Sequence, residues 1–238
     1  MSASLREQWP WAEIRSLDRG PWTSGAHALA ARLCPARAVD ACAALNEELP
    51  PALLRAVPQR QYEFLVGRRL AHELLGVPCG LRGRVPVWPP GFTGSISHTR
   101  QLVVVVVAPM SLRRRAIGVD IESLDCNASS RVALARCFTS AERGLLRAVP
   151  DGELLGFSAK EATYKALHTA LGLSPDFTDA QVVAVDVQRR CLTMKFGMGV
   201  DALLQVRYER LDRHVLTACE LDDTLSHKPY REPYPSSR

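Results

Sequence analysis

Two short segments contain acidic and basic side chains that could bind a metal and a phosphate. Residues 118–122 read Gly-Val-Asp-Ile-Glu, and residues 160–165 read Lys-Glu-Ala-Thr-Tyr-Lys. If the first segment is a strand, alternation places Asp120 and Glu122 on one face, about 7 Å apart along the chain. Two neighbouring carboxylates repel each other, so an ordered pair usually needs a cation between them.

Glu161 would add a third carboxylate to Asp120 and Glu122. Three hard oxygen ligands suit Mg²⁺, with Mn²⁺ as the other candidate ion, in a site completed by water and substrate phosphates. Lys160 and Lys165 lie beside Glu161 and would suit a polyphosphate. Together the two segments predict a metal–phosphate site.

Each segment also has a simpler interpretation. Asp120 and Glu122 could form a solvated strand face. Glu161 and Lys165 could form an i,i+4 ion pair, which contributes only about 0.3–0.5 kcal/mol. Glu161 could equally be the acid of a helix capping box that begins at Ser158. The prediction of a site therefore depends on the two segments acting together.

Composition limits the class of protein. The chain has 238 residues, of which 47% are hydrophobic and 23% are charged, which is ordinary for a globular protein. The longest apolar run covers residues 102–108, too short for a transmembrane helix, and the N-terminus has no signal-peptide pattern. The seven cysteines form no C-x-x-C pair, so we expect reduced thiols, a cytoplasmic location and no membrane partner.

Charge is unevenly placed along the chain. Residues 1–120 hold 15 basic and 9 acidic residues, whereas residues 121–238 hold 15 basic and 16 acidic residues. A basic first half favours an anionic partner, whether a nucleotide, a nucleic acid or an acidic protein, although a solvated arginine surface is equally compatible. Only four of the 30 basic residues are lysines, and Lys160 and Lys165 are two of them. Because a lysine is a compact point charge that arginine does not replace, this clustering supports a site there.

Hydrophobic periodicity predicts mixed helices and strands, with no exact internal repeat. We predict helices over 59–75 (ending at Gly76), 38–56 (interrupted by Pro50-Pro51) and 131–148 (with Thr139-Ser140 inside or near a cap). We predict strands over 101–109, 116–122, 181–187, 191–196, 203–211 and 214–221. The first two are separated by a short turn, which suggests an antiparallel pair. Residues 1–25 look irregular, and residues 222–238 look like a loose tail.

His98 lies between a turn-rich loop and the strand over 101–109. With Ser95, Ser97 and Arg100 it could donate hydrogen bonds to a phosphate, although a lone histidine is more often a packed or exposed neutral residue. The histidines and cysteines lack zinc-ligand spacing. The sequence contains no P-loop, no Rossmann fingerprint and no G-x-S-x-G elbow, so those classes of site are unsupported.

Three motifs, in this order, resemble those of the 4′-phosphopantetheinyl transferases of the surfactin/enterobactin type. The first, residues 84–98, reads Arg-Val-Pro-Val-Trp-Pro-Pro-Gly-Phe-Thr-Gly-Ser-Ile-Ser-His. The other two are Ile-Gly-Val-Asp-Ile-Glu at 117–122 and Phe-Ser-Ala-Lys-Glu-Ala-Thr-Tyr-Lys at 157–165. Residues 64–68, Phe-Leu-Val-Gly-Arg, also resemble the Phe-x-x-Gly-Arg helix of the enterobactin-type branch. Each motif is weak by itself, whereas the ordered set is highly specific.

The resemblance implies an α+β fold of two similar halves related by a pseudo-twofold, with the active site between them. We expect residues 1–116 to form the N-terminal half and residues 117–221 the C-terminal half, followed by the tail at 222–238. A chain of this length fits the duplicated form of the family, which acts as a monomer.

The resemblance also implies a reaction. The serine hydroxyl of an apo acyl, peptidyl or polyketide carrier protein would attack the β-phosphorus of coenzyme A and release 3′,5′-ADP. Asp120, Glu122 and Glu161 would hold Mg²⁺ against the pyrophosphate, and Lys160 and Lys165 would contact the phosphates and the transition state. Nucleic acid is not an expected partner.

The family's other roles map onto further residues of this chain. Ser97, His98, Arg60, Arg68 and Arg84 would bind the 3′-phosphate and adenosine end of coenzyme A. Either Glu161 or a metal-bound water would take the serine proton, and Glu142 is a further candidate acid.

The chain departs from the family pattern at a few positions. Arg84 stands where some relatives have lysine, and His168-Thr169 stands where a Tyr-Pro pair is frequent, which would alter the carrier-binding surface. Residues 113–115, three arginines, could dock an acidic carrier helix or could be a solvated turn.

Two other classes remain open from the residues themselves. A metal-dependent phosphohydrolase or nuclease would use the same acids and lysines, but it would not require the segment at 95–98 or the helix at 64–68. A basic nucleic-acid-binding module would show steep salt dependence and would not need three clustered acids.

Overall fold

The structure is a computed structural model. It describes residues 12–23, 25–45, 49–83, 85–111, 113–125, 128–173, 176–197 and 202–222. Arg84, to which the family resemblance assigns a contact with the 3′-phosphate and adenosine end of coenzyme A, lies outside the described residues. So does the predicted tail, except for its first residue.

The structure contains five α-helices, one short 3₁₀ helix (Pro35–Arg37) and eleven strands among the described residues, and its α+β class agrees with the sequence prediction. The helices are α1 (Ala38–Leu45), α2 (Pro58–Leu75), α3 (Ala128–Ala135), α4 (Ser140–Leu146) and α5 (Gly152–Leu171). The first strands are β1 (Ala12–Ser16), β2 (His27–Leu33), β3 (Gly80–Arg82), β4 (Val85–Val87), β5 (Phe92–His98), β6 (Leu102–Pro109) and β7 (Ala116–Ser123). The last four are β8 (Ala180–Asp186), β9 (Cys191–Phe196), β10 (Ala202–Leu211) and β11 (His214–Leu221).

The first sheet has the strand order β1-β2-β6-β5, and all its pairs are antiparallel. Strand β6 lies inside this sheet, and its apolar run is buried on both faces. Val103 and Val105 pack with α2, whereas Val104 and Val106 pack against residues of the second sheet. This double burial explains why β6 reads as a continuous apolar run rather than an alternating one.

The second sheet has the order β7-β11-β10-β9-β8 and is also antiparallel. Helix α5 packs across β7 and β11 and supplies small buried side chains, among them Ala159, Ala162 and Ala166. The helix and β7 approach so closely at Gly118 that a Cβ there would lie 2.0 Å from the carbonyl oxygen of Ala162. This contact places the helix that carries Glu161 directly over the strand that carries Asp120.

The sequence predicts several elements correctly. Strands β6 to β11 agree with the predicted ranges within one or two residues at each end, and α2 ends at Gly76, whose φ of 71° suits glycine. Among the described residues, no helix is long and apolar enough to cross a membrane.

Strand pairing corrects one prediction. The strands over 102–109 and 116–123 do not pair with each other: β6 pairs with β2 and β5, and β7 pairs with β11. The turn between them passes from one sheet to the other instead of closing a hairpin. Residues 12–16, expected to be irregular, form β1, an edge strand of the first sheet.

Helix boundaries supply further corrections. The predicted helix over 38–56 is helical only to Leu45 among the described residues, and the predicted helix over 131–148 is divided into α3 and α4. Helix α5 begins at Gly152, so Ser158 is an interior, buried residue and not a cap. The capping box lies at the start of α4, between Thr139 and Glu142. The pseudo-twofold relation and the domain limits stay predictions.

Candidate functional site

Asp120 lies at the centre of the site, where β7 faces β5 and α5. The residue is 4% exposed. Its Oδ1 atom accepts hydrogen bonds from Lys165 Nζ at 2.7 Å and from Ser97 Oγ at 2.8 Å. Its Oδ2 atom is buried and has no hydrogen-bond partner among the described residues. Because an unpartnered buried carboxylate oxygen is costly, this atom marks a position for a cation or another donor.

Lys165 reaches this site from α5. Its ammonium also donates to Ser97 Oγ at 3.0 Å and to the carbonyl oxygen of Val119 at 3.1 Å, so its three protons all have acceptors within the protein. The side chain is 30% exposed. A phosphate could therefore bind this ammonium only by replacing one of the three acceptors.

Glu122 and Glu161 complete the acidic set. Burial, together with the negative charges of Asp120 and Glu161, raises the pKa of Glu122 to about 7, although Lys165 opposes the shift. Burial and the charge of Asp120 also raise the pKa of Glu161, again against Lys165. The structure thus brings the three predicted acids into one electrostatic environment that disfavours their combined negative charge.

The chemistry of these donors fits a divalent cation. Asp120 Oδ2 has no hydrogen-bond partner in the part of the chain that the structure describes, and the pKa values of Glu122 and Glu161 are raised. A bound cation would stabilise all three carboxylates. Within the described residues, no group of three acidic, histidine or cysteine side chains already stands at metal-ligand spacing. The glutamate side chains would have to turn toward Asp120 to form such a set.

His98 and Arg60 lie beside the acids, in a cavity of about 350 Å³. The cavity is lined by residues of α2, β5, β7 and α5, among them Arg60, Glu63, Arg68, His98, Asp120, Glu161 and Lys165. Two of the arginines predicted to bind coenzyme A, Arg60 and Arg68, therefore border the same space as Asp120 and Glu161. Arg68 also donates to the carbonyl oxygen of Gly80 at 3.0 Å.

Glu63 is a site residue that the sequence analysis missed. It is 6% exposed, and its Oε2 atom lies 3.3 Å from His98 Nδ1 and 3.6 Å from an Arg60 nitrogen. Burial, together with the charges of Arg60 and Lys165, lowers the pKa of His98 to about 4, so the ring is neutral at pH 7. The only sequence signal for Glu63 is its i,i+3 spacing from Arg60.

Lys160 does not face the cavity, which contradicts its predicted contact with phosphate. The residue is 1% exposed, and its Nζ atom lies 2.9 Å from Glu142 Oε1. It also donates to the carbonyl oxygens of Cys137 and Phe177. Adjacent helix positions point about 100° apart, so Glu161 faces the cavity while Lys160 faces the core.

Two further cavities continue the cleft past Lys165. The nearer one, about 450 Å³, is mainly apolar and includes Trp88, Ile96, Tyr164 and Lys165 in its lining. The farther one, about 550 Å³, is bordered by Arg82, Phe92, Met110 and Arg115. His168 and Thr169 line both cavities. The acids, the basic cavity and the apolar cavities thus form one surface along the junction of the two sheets.

The three predicted docking arginines do not form one patch. Arg114 is 6% exposed and turns inward, where its Nε donates to Glu220 at 2.8 Å. Arg113 is exposed, and Arg115 borders the farther cavity. Only Arg115 of the three therefore lines the cleft.

Comparison with known families divides the chain at the junction of the sheets. A family model described as 4′-phosphopantetheinyl transferase N-terminal domain matches residues 49–108. A second, described as 4′-phosphopantetheinyl transferase superfamily, matches residues 116–222. The first match ends within β6, and the second begins at the first residue of β7.

Individual relatives agree with the family models. Enterobactin synthase component D of Salmonella typhi is 34% identical over 140 residues, which cover 54% of this chain and 56% of the relative. The 4′-phosphopantetheinyl transferase Svp of Streptomyces mobaraensis is 34% identical over 158 residues, covering 62% of this chain and 63% of the relative. Enterobactin synthase component D of Escherichia coli K12 is 29% identical over 180 residues, covering 71% and 82%. The match to the first of these spans little more than half of its length.

The matched regions contain every described residue that lines the cavity between Arg60 on α2 and Lys165 on α5. They also cover the strands and helices that bring these residues together. The chain therefore belongs to the 4′-phosphopantetheinyl transferase superfamily.

Proposed function

We propose that this protein transfers the 4′-phosphopantetheine group of coenzyme A to a serine hydroxyl of an apo carrier protein, with release of 3′,5′-ADP. The observation that carries the proposal is the position of Asp120. Asp120, whose Oδ2 atom has no hydrogen-bond partner among the described residues, lines the cavity bordered by the arginines. Its partner Lys165 lines both this cavity and the neighbouring, mainly apolar one. A coenzyme with an anionic nucleotide end, a pyrophosphate and a long neutral arm matches that sequence of environments.

The basic cavity suits the nucleotide end of coenzyme A. Arg60 and Arg68 border it, and guanidinium groups bind phosphate through charge-assisted hydrogen bonds. The neutral ring of His98 adds a hydrogen-bonding group next to them. The family resemblance adds Arg84 to this set. The pantetheine arm would follow the neighbouring cavity between Trp88 and Tyr164.

The chemical step forms one bond and breaks another at the β-phosphorus. The carrier serine oxygen bonds to this phosphorus, and the bond from the phosphorus to the bridging oxygen breaks, so that its electron pair leaves with 3′,5′-ADP. Glu161 is our candidate acceptor for the serine proton, because its carboxylate lines the same cavity as Asp120 and Lys165. Lys165 would stabilise the developing negative charge by exchanging one of its internal acceptors for a phosphate oxygen.

A divalent cation, Mg²⁺ or Mn²⁺, held by Asp120, Glu122 and Glu161 would neutralise charge on the pyrophosphate. The position of Lys160 in the core removes it from this proposal. Its part is to hold α5 in place through Glu142.

We extend the proposal to the organisation of the protein. Residues 1–116 would act as a nucleotide-binding half and residues 117–221 as a catalytic half, within one monomeric chain. The six cysteines among the described residues are free thiols, in keeping with a cytoplasmic protein. The carrier would be an acyl, peptidyl or polyketide carrier. The names of the relatives make a siderophore pathway one candidate setting.

Carrier docking would use the far end of the cleft. Arg82 and Arg115 lie beside the exposed side chains of Val87, Phe92 and Met110. An acidic helix with an apolar face would be complementary to such a surface. We propose this surface in place of the continuous patch of three arginines, residues 113–115, that the sequence suggests.

The test is incubation of the protein with Mg²⁺, coenzyme A and a panel of apo carriers, followed by intact-protein mass spectrometry. We expect at least one carrier to gain the mass of phosphopantetheine. Asp120→Asn and Glu161→Gln should lose at least about 100-fold in rate, as expected when a group that acts on transition-state charge is removed. Asp125→Asn, which changes an exposed carboxylate beyond the end of β7, should retain wild-type activity.

Two results would contradict the proposal. One is that no carrier gains the expected mass although the protein is folded. The other is release of 3′,5′-ADP from coenzyme A with no carrier modified, which would favour a phosphohydrolase. Transfer that survives Asp120→Asn would leave the reaction in place and overturn the proposed role of this carboxylate.

A further inference from the structure

Strands β5 and β7 join the two sheets through side-chain hydroxyls. Each strand pairs on its other side within its own sheet, so β7 presents a free edge of amide groups to β5. Every second residue of β5 carries a hydroxyl, and each hydroxyl accepts one amide of this edge. The bonds run from the amides of Ile117, Val119 and Ile121 to Thr93 at 3.3 Å, Ser95 at 2.9 Å and Ser97 at 3.3 Å.

Ser97 differs from the other two hydroxyls because it also contacts the acidic site. Its Oγ atom donates to Asp120 Oδ1 at 2.8 Å and accepts from Lys165 Nζ at 3.0 Å. With the amide of Ile121, these contacts use the one proton and both lone pairs of the hydroxyl. The side chain is 4% exposed. This saturated, buried hydroxyl is poorly suited to bind a phosphate of coenzyme A, the role that the family resemblance implies.

We propose that Ser97 is a positioning residue that orients the Asp120 carboxylate and the Lys165 ammonium for cation binding at Asp120 Oδ2. The inference builds on the cation site of the proposed function, and it does not depend on which group is transferred. It gives the N-terminal half a part in forming the metal site, because Ser97 belongs to the first sheet and Asp120 to the second.

The physical basis is the freedom of the aspartate carboxylate. The terminal torsion of aspartate is broad and nearly two-fold, so a single contact does not distinguish its two oxygens. Ser97 on β5 and Lys165 on α5 both donate hydrogen bonds to Oδ1, so the position of that oxygen is fixed from two sides. The carboxylate then presents Oδ2 as its remaining acceptor. Without the hydroxyl, Lys165 could bind either oxygen and compete with a cation.

Ser95 provides a matched control within the same row. It accepts the Val119 amide as Ser97 accepts the Ile121 amide, and it is equally buried at 4% exposure. Among the described residues, its hydroxyl makes one other hydrogen bond, to the Val119 carbonyl oxygen at 3.5 Å. Ser95→Ala and Ser97→Ala therefore remove the same backbone contact, but only Ser97→Ala removes contacts to Asp120 and Lys165.

The experiment is a Mn²⁺ titration of the full chain followed by electron paramagnetic resonance, with unfolding measured on the metal-free proteins. We expect Ser97→Ala to weaken Mn²⁺ binding about 10- to 100-fold, the range typical when a group that orients a metal ligand is lost. Ser95→Ala should stay within about twofold of wild type. If Ser97→Ala does not fold, Ser97→Thr and Ser97→Val give the same comparison, since they differ mainly by the hydroxyl.

Kinetics separate this role from direct contact with coenzyme A. With a working carrier, Ser97→Ala should lose activity that excess Mg²⁺ partly restores, with little change in KM for coenzyme A. A raised KM with unchanged Mn²⁺ affinity would overturn the inference, as would equal effects of the two alanine substitutions. If wild type binds Mn²⁺, Ser97→Ala binds it weakly and neither modifies a carrier, the proposed function fails while the positioning role stands.

Discussion

Lys160 Nζ lies 2.9 Å from Glu142 Oε1, and both side chains are almost completely buried. The pair connects α5 to α4, and Glu142 also accepts the amides of Thr139 and Val182. Burial acts to raise the pKa of Glu142, but the hydrogen bonds from Thr139, Lys160 and Val182 outweigh it and hold this pKa below its usual value. The carboxylate is therefore an ionised part of the core that fixes the helix carrying Glu161.

Loss of the ion pair between Glu142 and Lys160 should strongly destabilise the folded protein. Glu142→Ala would leave the Lys160 ammonium buried without its counter-ion, and we expect a loss of about 3–5 kcal/mol in the free energy of unfolding. Urea denaturation of the metal-free protein would measure the change. Combining Glu142→Leu with Lys160→Met should recover much of the loss, because no buried charge then remains.

An exposed ion pair supplies the control for Glu142. Asp186→Ala removes a partner of Arg189, whose side chain is 86% exposed, and should change stability by less than about 1 kcal/mol. If Glu142→Ala were no more destabilising than Asp186→Ala, the structural role of the buried pair would be refuted.

Gly118 should tolerate no side chain. A Cβ at this position would lie 2.0 Å from the Ala162 carbonyl oxygen and 2.5 Å from the Ala166 amide nitrogen, both on the backbone of α5. We expect Gly118→Ala to force α5 away from β7, to destabilise the fold by more than about 3 kcal/mol and to weaken Mn²⁺ binding. Thermal and urea unfolding would detect the loss.

Gly144→Ala is the matched control for Gly118→Ala. No atom of the described residues lies within 4 Å of a Cβ at this exposed position in α4, and alanine is the better helix former by about 0.5–1 kcal/mol. It should therefore raise stability slightly. Equal tolerance of alanine at both glycines would contradict the close approach of α5 to β7.

His98 should make stability depend on pH. Its pKa in the folded protein is about 4, against 6.5 for an ordinary histidine, so the unfolded chain binds a proton in this interval that the folded chain does not. The contribution of His98 to stability is therefore lost as pH falls from 6.5 toward 4. His98→Gln removes this term, and the stability of wild type relative to His98→Gln should decline across the same interval.

The quantity to compare is the difference in unfolding free energy between wild type and His98→Gln, because neighbouring groups also titrate or carry charge. Arg60 and Glu63 face His98 from α2, Lys165 acts on it from α5, and Asp120 acts on it from β7. Urea denaturation at half-unit pH steps, with His27→Gln as an exposed control, would measure the pH-dependent contribution of His98 to stability. Parallel wild-type and His98→Gln curves would show that the ring is not held neutral.

Charge reversal at the far end of the cleft should weaken binding of the carrier protein and leave binding of coenzyme A unchanged. Arg82→Glu and Arg115→Glu would repel an acidic carrier helix, so we expect KM for the carrier to rise about tenfold or more and to depend less on salt. KM for coenzyme A should change little. Arg189→Glu, at the turn between β8 and β9, is the control for general charge effects. A selective rise in KM for coenzyme A would place the nucleotide end there instead.

The local parts of the fold could be predicted because their signals are local. The helix over 58–75 shows helical spacing and ends at a glycine, and the strands from 180 to 221 alternate within short ranges. The cap predicted at or near Thr139-Ser140 is confirmed, but it divides the predicted helix over 131–148 into α3 and α4 because Thr139 begins a new helix. The strand partners of β6 and β7 were predicted wrongly because sequence proximity carries little information about which sheet a strand joins.

The sequence by itself determined the residue types of the site, the order of the motifs and the helices and strands that carry Asp120, Glu122 and Glu161. Only the tertiary structure decided that Lys160 faces the core and that Glu63 contacts His98. It also decided that Ser97 and Lys165 both donate hydrogen bonds to Asp120. The physical reason is that a side chain's hydrogen-bond partners depend on sheet order and helix packing. Lys165 and Asp120, for example, are 45 positions apart in the chain.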